Sequence, residues 1–104
     1  MPITESRDPP GIVLAGEIDI TCSPALRSVG VRLAGALDAG DCLSVDVADV
    51  TFIDSSGIGA LVAVRNAAVD HGGSLVLRNL SQPVRRLLEL SGLVSSFSID
   101  DDGV

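Results

Sequence analysis

Leu43-Ser44-Val45-Asp46-Val47-Ala48, then Phe52-Ile53-Asp54-Ser55-Ser56-Gly57-Ile58-Gly59, then Leu61 and Val64, form the stretch on which the fold turns. The first six residues alternate apolar and polar with a period of two, which predicts a strand with one buried face. Ile58, Leu61, Val64 and Ala68 recur at helical spacing and predict an amphipathic helix running out at His71-Gly72-Gly73. Between them, Asp54-Ser55-Ser56-Gly57 reads as a helix N-terminus, where a short polar side chain accepts from the free amides of the first turn and glycine allows close backbone approach. A strand feeding directly into a helix is the unit of an α/β fold.

Working outward, Ser23-Pro24 signals a helix start, and Leu26, Val29, Leu33 and Leu37 extend it at helical spacing from Pro24 to Ala39, with Gly40 closing it. Before it, a strand is expected over Ile12 to Ile20 and a short edge strand over Ile3 to Arg7, joined by a tight turn at Asp8-Pro9-Pro10-Gly11. Downstream, a fourth strand covers Ser74 to Arg78. A last helix begins around Ser81 to Pro83, buries Val84, Leu87 and Leu88, and stops at Ser91-Gly92 with Leu93 set for the contact of a glycine-terminated helix. Val94 to Ile99 reads as a fifth strand and Asp100-Asp101-Asp102 as a solvated tail. Alternating strands and helices predict right-handed crossovers. The expected architecture is one α/β domain over residues 1–104, a mostly parallel sheet of about five strands with helices covering one face.

Composition narrows the function. The chain has 104 residues, 46% of them hydrophobic, which suits one domain with one core. Its formal charge is −7, its seven basic residues are all Arg, and Phe52 and Phe97 are its only aromatics. A phosphate backbone would be repelled and no base-stacking platform can be built, so no direct nucleic-acid binding is expected. No apolar run approaches the roughly 20 residues that span a bilayer, and Met1 to Pro10 has neither a basic region nor an apolar stretch, so no membrane association and a cytoplasmic location are expected. Cys22 and Cys42 flank the first predicted helix, which would hold them roughly 20 Å apart. That exceeds the reach of a disulfide within one chain, and they read as reduced thiols, with redox sensing or an intermolecular bridge as the alternative.

No P-loop, dinucleotide glycine pair or Cys/His metal spacing occurs, so no cofactor and no metal are expected. A serine hydrolase would need a histidine near Ser55. The one histidine, His71, lies at the far end of the same helix and reads as a donor at a helix C-terminus. Arg65, Arg85 and Arg86 read as exposed helix-face charges, with partner contact as the lesser reading. An aspartyl-phosphate receiver would use Asp54 as acceptor with Asp19 helping to hold Mg²⁺, but such receivers use a lysine near the phosphate and this chain has none. No enzymatic activity is expected.

Three segments carry a resemblance that covers nearly the whole chain. Gly16-Glu17-Ile18-Asp19, Phe52-Ile53-Asp54-Ser55-Ser56-Gly57-Ile58-Gly59 and Ser91-Gly92-Leu93 stand in order at suitable spacing, and together they resemble the STAS family of bacterial anti-sigma factor antagonists. The resemblance implies a partner switch. The unphosphorylated antagonist binds an anti-sigma factor with serine kinase activity and frees the sigma factor; phosphorylation breaks the complex, and a phosphatase restores it. It implies that Ser55 is the phosphoacceptor, with Asp54, Ser56, Gly57 and Ile58 around it and Asp19 and Thr21 on the neighbouring loop as the contact surface. A phosphate there is compatible with the fold, because free N–H groups and the helix dipole favour anions. The resemblance stops short of the family's common helix after the fifth strand, and contacts through that helix are not expected. The alternative within the fold is a STAS assembly subunit of a stress-signalling complex or of a lipid-transporter ATPase.

Overall fold

The computed structural model describes residues 3–7 and 10–100. In chain order its elements are β1 (Ile3–Arg7), β2 (Pro10–Ile18), α1 (Ser23–Gly35), β3 (Cys42–Ile53), α2 (Ser55–Asp70), β4 (Ser74–Arg78), α3 (Gln82–Ser91), a 3₁₀ turn (Val94–Ser96) and β5 (Ser98–Asp100). The strands lie side by side in the order of the sequence, β1 antiparallel to β2 and all later pairs parallel. This is the expected α/β architecture. The inward residues line up across the sheet, with Ile12 opposite Val45, Val45 opposite Leu77 and Leu43 opposite Leu75. All are buried, whereas outward Val13 is 46% exposed, so the helices cover one face.

Where β3 differs from its reading, backbone registry is the reason. Two register shifts against β2, between Val13 and Ala15 and between Gly16 and Glu17, each insert one extra residue into β3. The period of two therefore breaks after Val47, and burial continues in steps of three at Val50 and Ile53. Asp46 braces the first irregularity by accepting from the Ala48 N–H at 3.0 Å. Gly16, with φ of 77°, supplies the left-handed conformation at the second. The strand thus runs on to Ile53, longer than its regular alternation.

Three boundaries are corrected. α1 ends at Gly35 and not at Ala39: Ala36 and Leu37 bond back only three residues, at 3.1 and 3.2 Å, tightening the last turn so that the chain can enter β3 at Cys42. Gly40 serves the following turn, its N–H donating to the Gly72 carbonyl at 2.8 Å. β2 ends at Ile18, releasing Asp19 and Ile20 into a loop. Of the expected fifth strand, Val94–Ser96 forms the 3₁₀ turn, because the Ser96 N–H bonds to the Leu93 carbonyl at 3.0 Å, and pairing with β4 begins only at Ser98. The expected Asp8–Gly11 turn and acidic tail lie partly outside the described residues; Pro10 and Gly11 belong to β2.

Two glycines fix the packing. A Cβ on Gly30 of α1 would stand 2.3 and 2.9 Å from the methyls of buried Val64, so the two helices meet through a hydrogen atom. α3 stops at Gly92 in the left-handed conformation, φ of 73°, with the Leu93 N–H reaching the Leu88 carbonyl at 2.9 Å, as the glycine-terminated reading requires.

Candidate functional site

The carboxyl ends of β2 and β3 are level, Ile18 opposite Ile53, and the Asp54 N–H donates to the Ile18 carbonyl at 3.2 Å. Each strand then turns on an aspartate. At the end of β3, Asp54 is extended and its Oδ1 accepts from the N–H of Ser56 at 3.0 Å and of Gly57 at 3.2 Å. It also accepts the Ser56 hydroxyl at 2.5 Å. This is an N-cap that satisfies two orphan donors of the first turn. At the end of β2, Asp19 Oδ1 accepts the N–H of Thr21 at 2.9 Å and its hydroxyl at 2.6 Å. The Asp19 carbonyl, in turn, takes the N–H groups of Cys22 and Ser23, which starts α1.

Both carboxylates titrate below their ordinary range. For Asp54 the main cause is the Ser56 hydroxyl, aided by the Gly57 and Ser56 amides against partial desolvation. For Asp19 it is the Thr21 hydroxyl and amide, opposed by desolvation and by the nearby charge of Asp54. Both are ionised at neutral pH. Together with exposed Glu17 they make this edge acidic.

The structure therefore brings Asp19, Thr21, Asp54, Ser55 and Ser56 to one edge but sorts them by exposure. Ser55 occupies the first helical position, is exposed, and its hydroxyl bonds to none of the described residues. Ser56 is half-buried and its hydroxyl is engaged with Asp54. Gly57 and Ile58, expected on the contact surface, face inward: Ile58 is 5% exposed, and a Cβ on Gly57 would lie 2.8 Å from Ile53 and 3.0 Å from the Ile18 carbonyl oxygen. Their contribution is to seat α2 against the strand ends. Two residues that the sequence reading did not place here join the rim. Ile20 is 72% and Phe52 48% exposed, the first released by the early end of β2 and the second turned outward by the second irregularity of β3. The first irregularity alone would have turned Phe52 inward with Val50, and the second returns it to the outer face.

The remaining chemistry lies elsewhere. His71 ends α2, sixteen residues on, with Nδ1 3.0 Å from the Ala67 carbonyl, which makes that nitrogen the donor. A helix of that length spans about 24 Å, which removes His71 from Ser55. Cys22 and Cys42 are free thiols, the first half-buried with Sγ 3.5 Å from the Glu17 and Asp19 carbonyls. Among the described residues no group of three or more His, Cys, Asp or Glu could hold a metal ion, and no helix is long and apolar enough to cross a membrane.

Fold and site together define a two-layer α/β module that displays a serine where a parallel strand passes into a capped helix. The family model described as "Mlab, STAS domain" matches residues 1–95. The chain is 40% identical over 80 residues to the anti-sigma-B factor antagonist of Bacillus subtilis, covering 77% of this chain and 71% of that protein. It also matches the anti-sigma F factor antagonist of Paenibacillus polymyxa, 29% identical with 88% and 77% covered. Among solved structures, the anti-sigma factor antagonist SpoIIAA in its unphosphorylated form superposes with a TM-score of 0.74 at 26% identity, covering 88% of this chain and 77% of that one. The chain belongs to the STAS-domain family of anti-sigma factor antagonists, which are regulatory proteins and not enzymes.

Proposed function

We propose that this antagonist works as a single-domain cytoplasmic partner switch over residues 1–104, with Ser55 as the phosphoacceptor and no catalytic activity of its own. The observation that carries this reading is the contrast between adjacent hydroxyls. Ser56 donates to Asp54, whereas the Ser55 hydroxyl is exposed and uncommitted. An anti-sigma factor with serine kinase activity binds the edge formed by Asp19, Ile20, Thr21, Phe52, Asp54, Ser55 and Ser56, held in place by Gly57 and Ile58. In the switching step the Ser55 oxygen attacks the γ-phosphorus of ATP bound to that kinase, its proton leaves, and ADP departs. A phosphatase later hydrolyses the ester with water, returning the hydroxyl and inorganic phosphate.

The fold tolerates the modified state, because the phosphate adds about −1.5 to −2 charges at a helix N-terminus, whose dipole favours anions. The interface does not, because that charge joins Asp19 and Asp54 against a surface shaped for a neutral hydroxyl. The test is an affinity pull-down from the native cell with wild type, Ser55→Ala and Ser55→Asp as baits. Recovery of a kinase-fold anti-sigma factor by the first two and not the third is expected. Recovery of lipid-transporter subunits by all three alike would replace this reading with that of an assembly subunit.

A further inference from the structure

At the opposite end of α2 from Ser55, a cleft of about 200 Å³ opens between that helix, the start of β4 and the 3₁₀ turn leading into β5. Its polar lining is Arg65 with Ser74, Ser95, Ser96 and Ser98; its apolar wall is Val69, Leu75 and Phe97. Leu75 and Phe97 are buried, at 2% and 7% exposure, so they form a firm floor. Arg65 is half-buried, and its guanidinium bonds the Asn66 side chain at 3.1 Å but pairs with no carboxylate among the described residues. By contrast Arg32 and Arg78 are paired with Glu5 and Asp100. None of the four serine hydroxyls makes a hydrogen bond to another described residue.

We infer that this cleft is a binding site for a small phosphate-bearing ligand. One half-buried arginine and four hydroxyls without partners among the described residues supply more donors than a carboxylate can accept, whereas a phosphate oxygen set can use the guanidinium fork and the hydroxyls together. The volume falls below the roughly 300–1,000 Å³ typical of pockets for drug-sized ligands, so the ligand is inorganic phosphate or a phosphomonoester with a compact apolar body resting on Leu75 and Phe97. The site is separate from Ser55 and does not depend on its modification.

The experiment is an NMR titration of the isotope-labelled full chain at constant ionic strength, with inorganic phosphate in one arm and phenyl phosphate in the other. Expected are saturable amide shifts confined to Arg65, Ser74 and Ser95 to Ser98, and at least tenfold weaker binding by Arg65→Gln, whose remaining spectrum is unchanged. Tighter binding of phenyl phosphate would assign the ligand as a phosphomonoester; equal or weaker binding would assign it as the free anion. Ser98→Ala, on the exposed start of β5, gives a second reading should Arg65→Gln disturb the fold, with a several-fold loss expected. Shifts that do not saturate, that centre on Ser55 to Gly57, or that persist unaltered in both variants would overturn the inference.

Discussion

The two turns at the site edge are built alike and end differently. In each, an aspartate at a strand end accepts both the N–H and the hydroxyl of the residue two places on, Asp19 from Thr21 and Asp54 from Ser56. The residue between is pushed outward, Ile20 in one turn and Ser55 in the other. Only Asp54 also reaches the next amide, that of Gly57, so its turn is already the helix, whereas α1 waits until Ser23. The same local chemistry thus displays an apolar anchor beside a hydroxyl at a helix dipole, one suited to binding and the other to being switched.

The largest effect should come from changing the displayed hydroxyl. Ser55→Asp should weaken binding to the anti-sigma factor by on the order of 100-fold, about 2.7 kcal/mol, with circular dichroism and melting temperature near wild type. Ser55→Ala should bind as wild type and resist switching. Titration calorimetry with the recovered partner measures both. Next is the seat of the second turn. Gly57→Ala places a Cβ 3.0 Å from the Ile18 carbonyl, a backbone atom that cannot step aside, and should cost about 1–3 kcal/mol by urea unfolding. The first turn has no such constraint, so Ile20→Ser should leave unfolding unchanged while weakening partner binding about fivefold, or about 1 kcal/mol.

The smallest effect is shared by both turns. Because the folded pKa values of Asp19 and Asp54 lie below the ordinary value near 4, their contribution to stability is present above that pH and is lost as pH falls through the lowered values. Melting temperature should therefore decline from pH 5 to pH 3, and the decline should be shallower in Asp54→Asn. Equal slopes in variant and wild type would mean that the capping bonds do not set the titration.

Most of this architecture was legible because its signals are local. Periodicity placed the helices and the regular half of β3, and Gly92 with Leu93 marked the end of α3 to the residue. What was not legible depends on partners distant in sequence. The bulges of β3 exist only against β2, so the inward turn of Val50, which an unbroken alternation would have exposed, could not be read from pattern alone. Beyond the early end of α1, Gly40 bonds the Gly72 carbonyl, 32 positions away, in a turn that local spacing does not announce. At the site, the residue types were readable but their exposure was not. The resemblance implied Ile58 on the contact surface, yet its place in the apolar stripe with Leu61 and Val64 turns it into the core, and nothing in an Asp-Ser-Ser run says which hydroxyl the aspartate will hold.

That last choice is the central claim, and site-localised mass spectrometry after incubation with the cognate kinase and ATP tests it most directly. Ser56 is tied to Asp54 and Ser55 is free, so the phosphate should appear on Ser55, be absent from Ser55→Ala, and persist in Ser56→Ala. Phosphate on Ser56 in the wild-type protein would contradict the account.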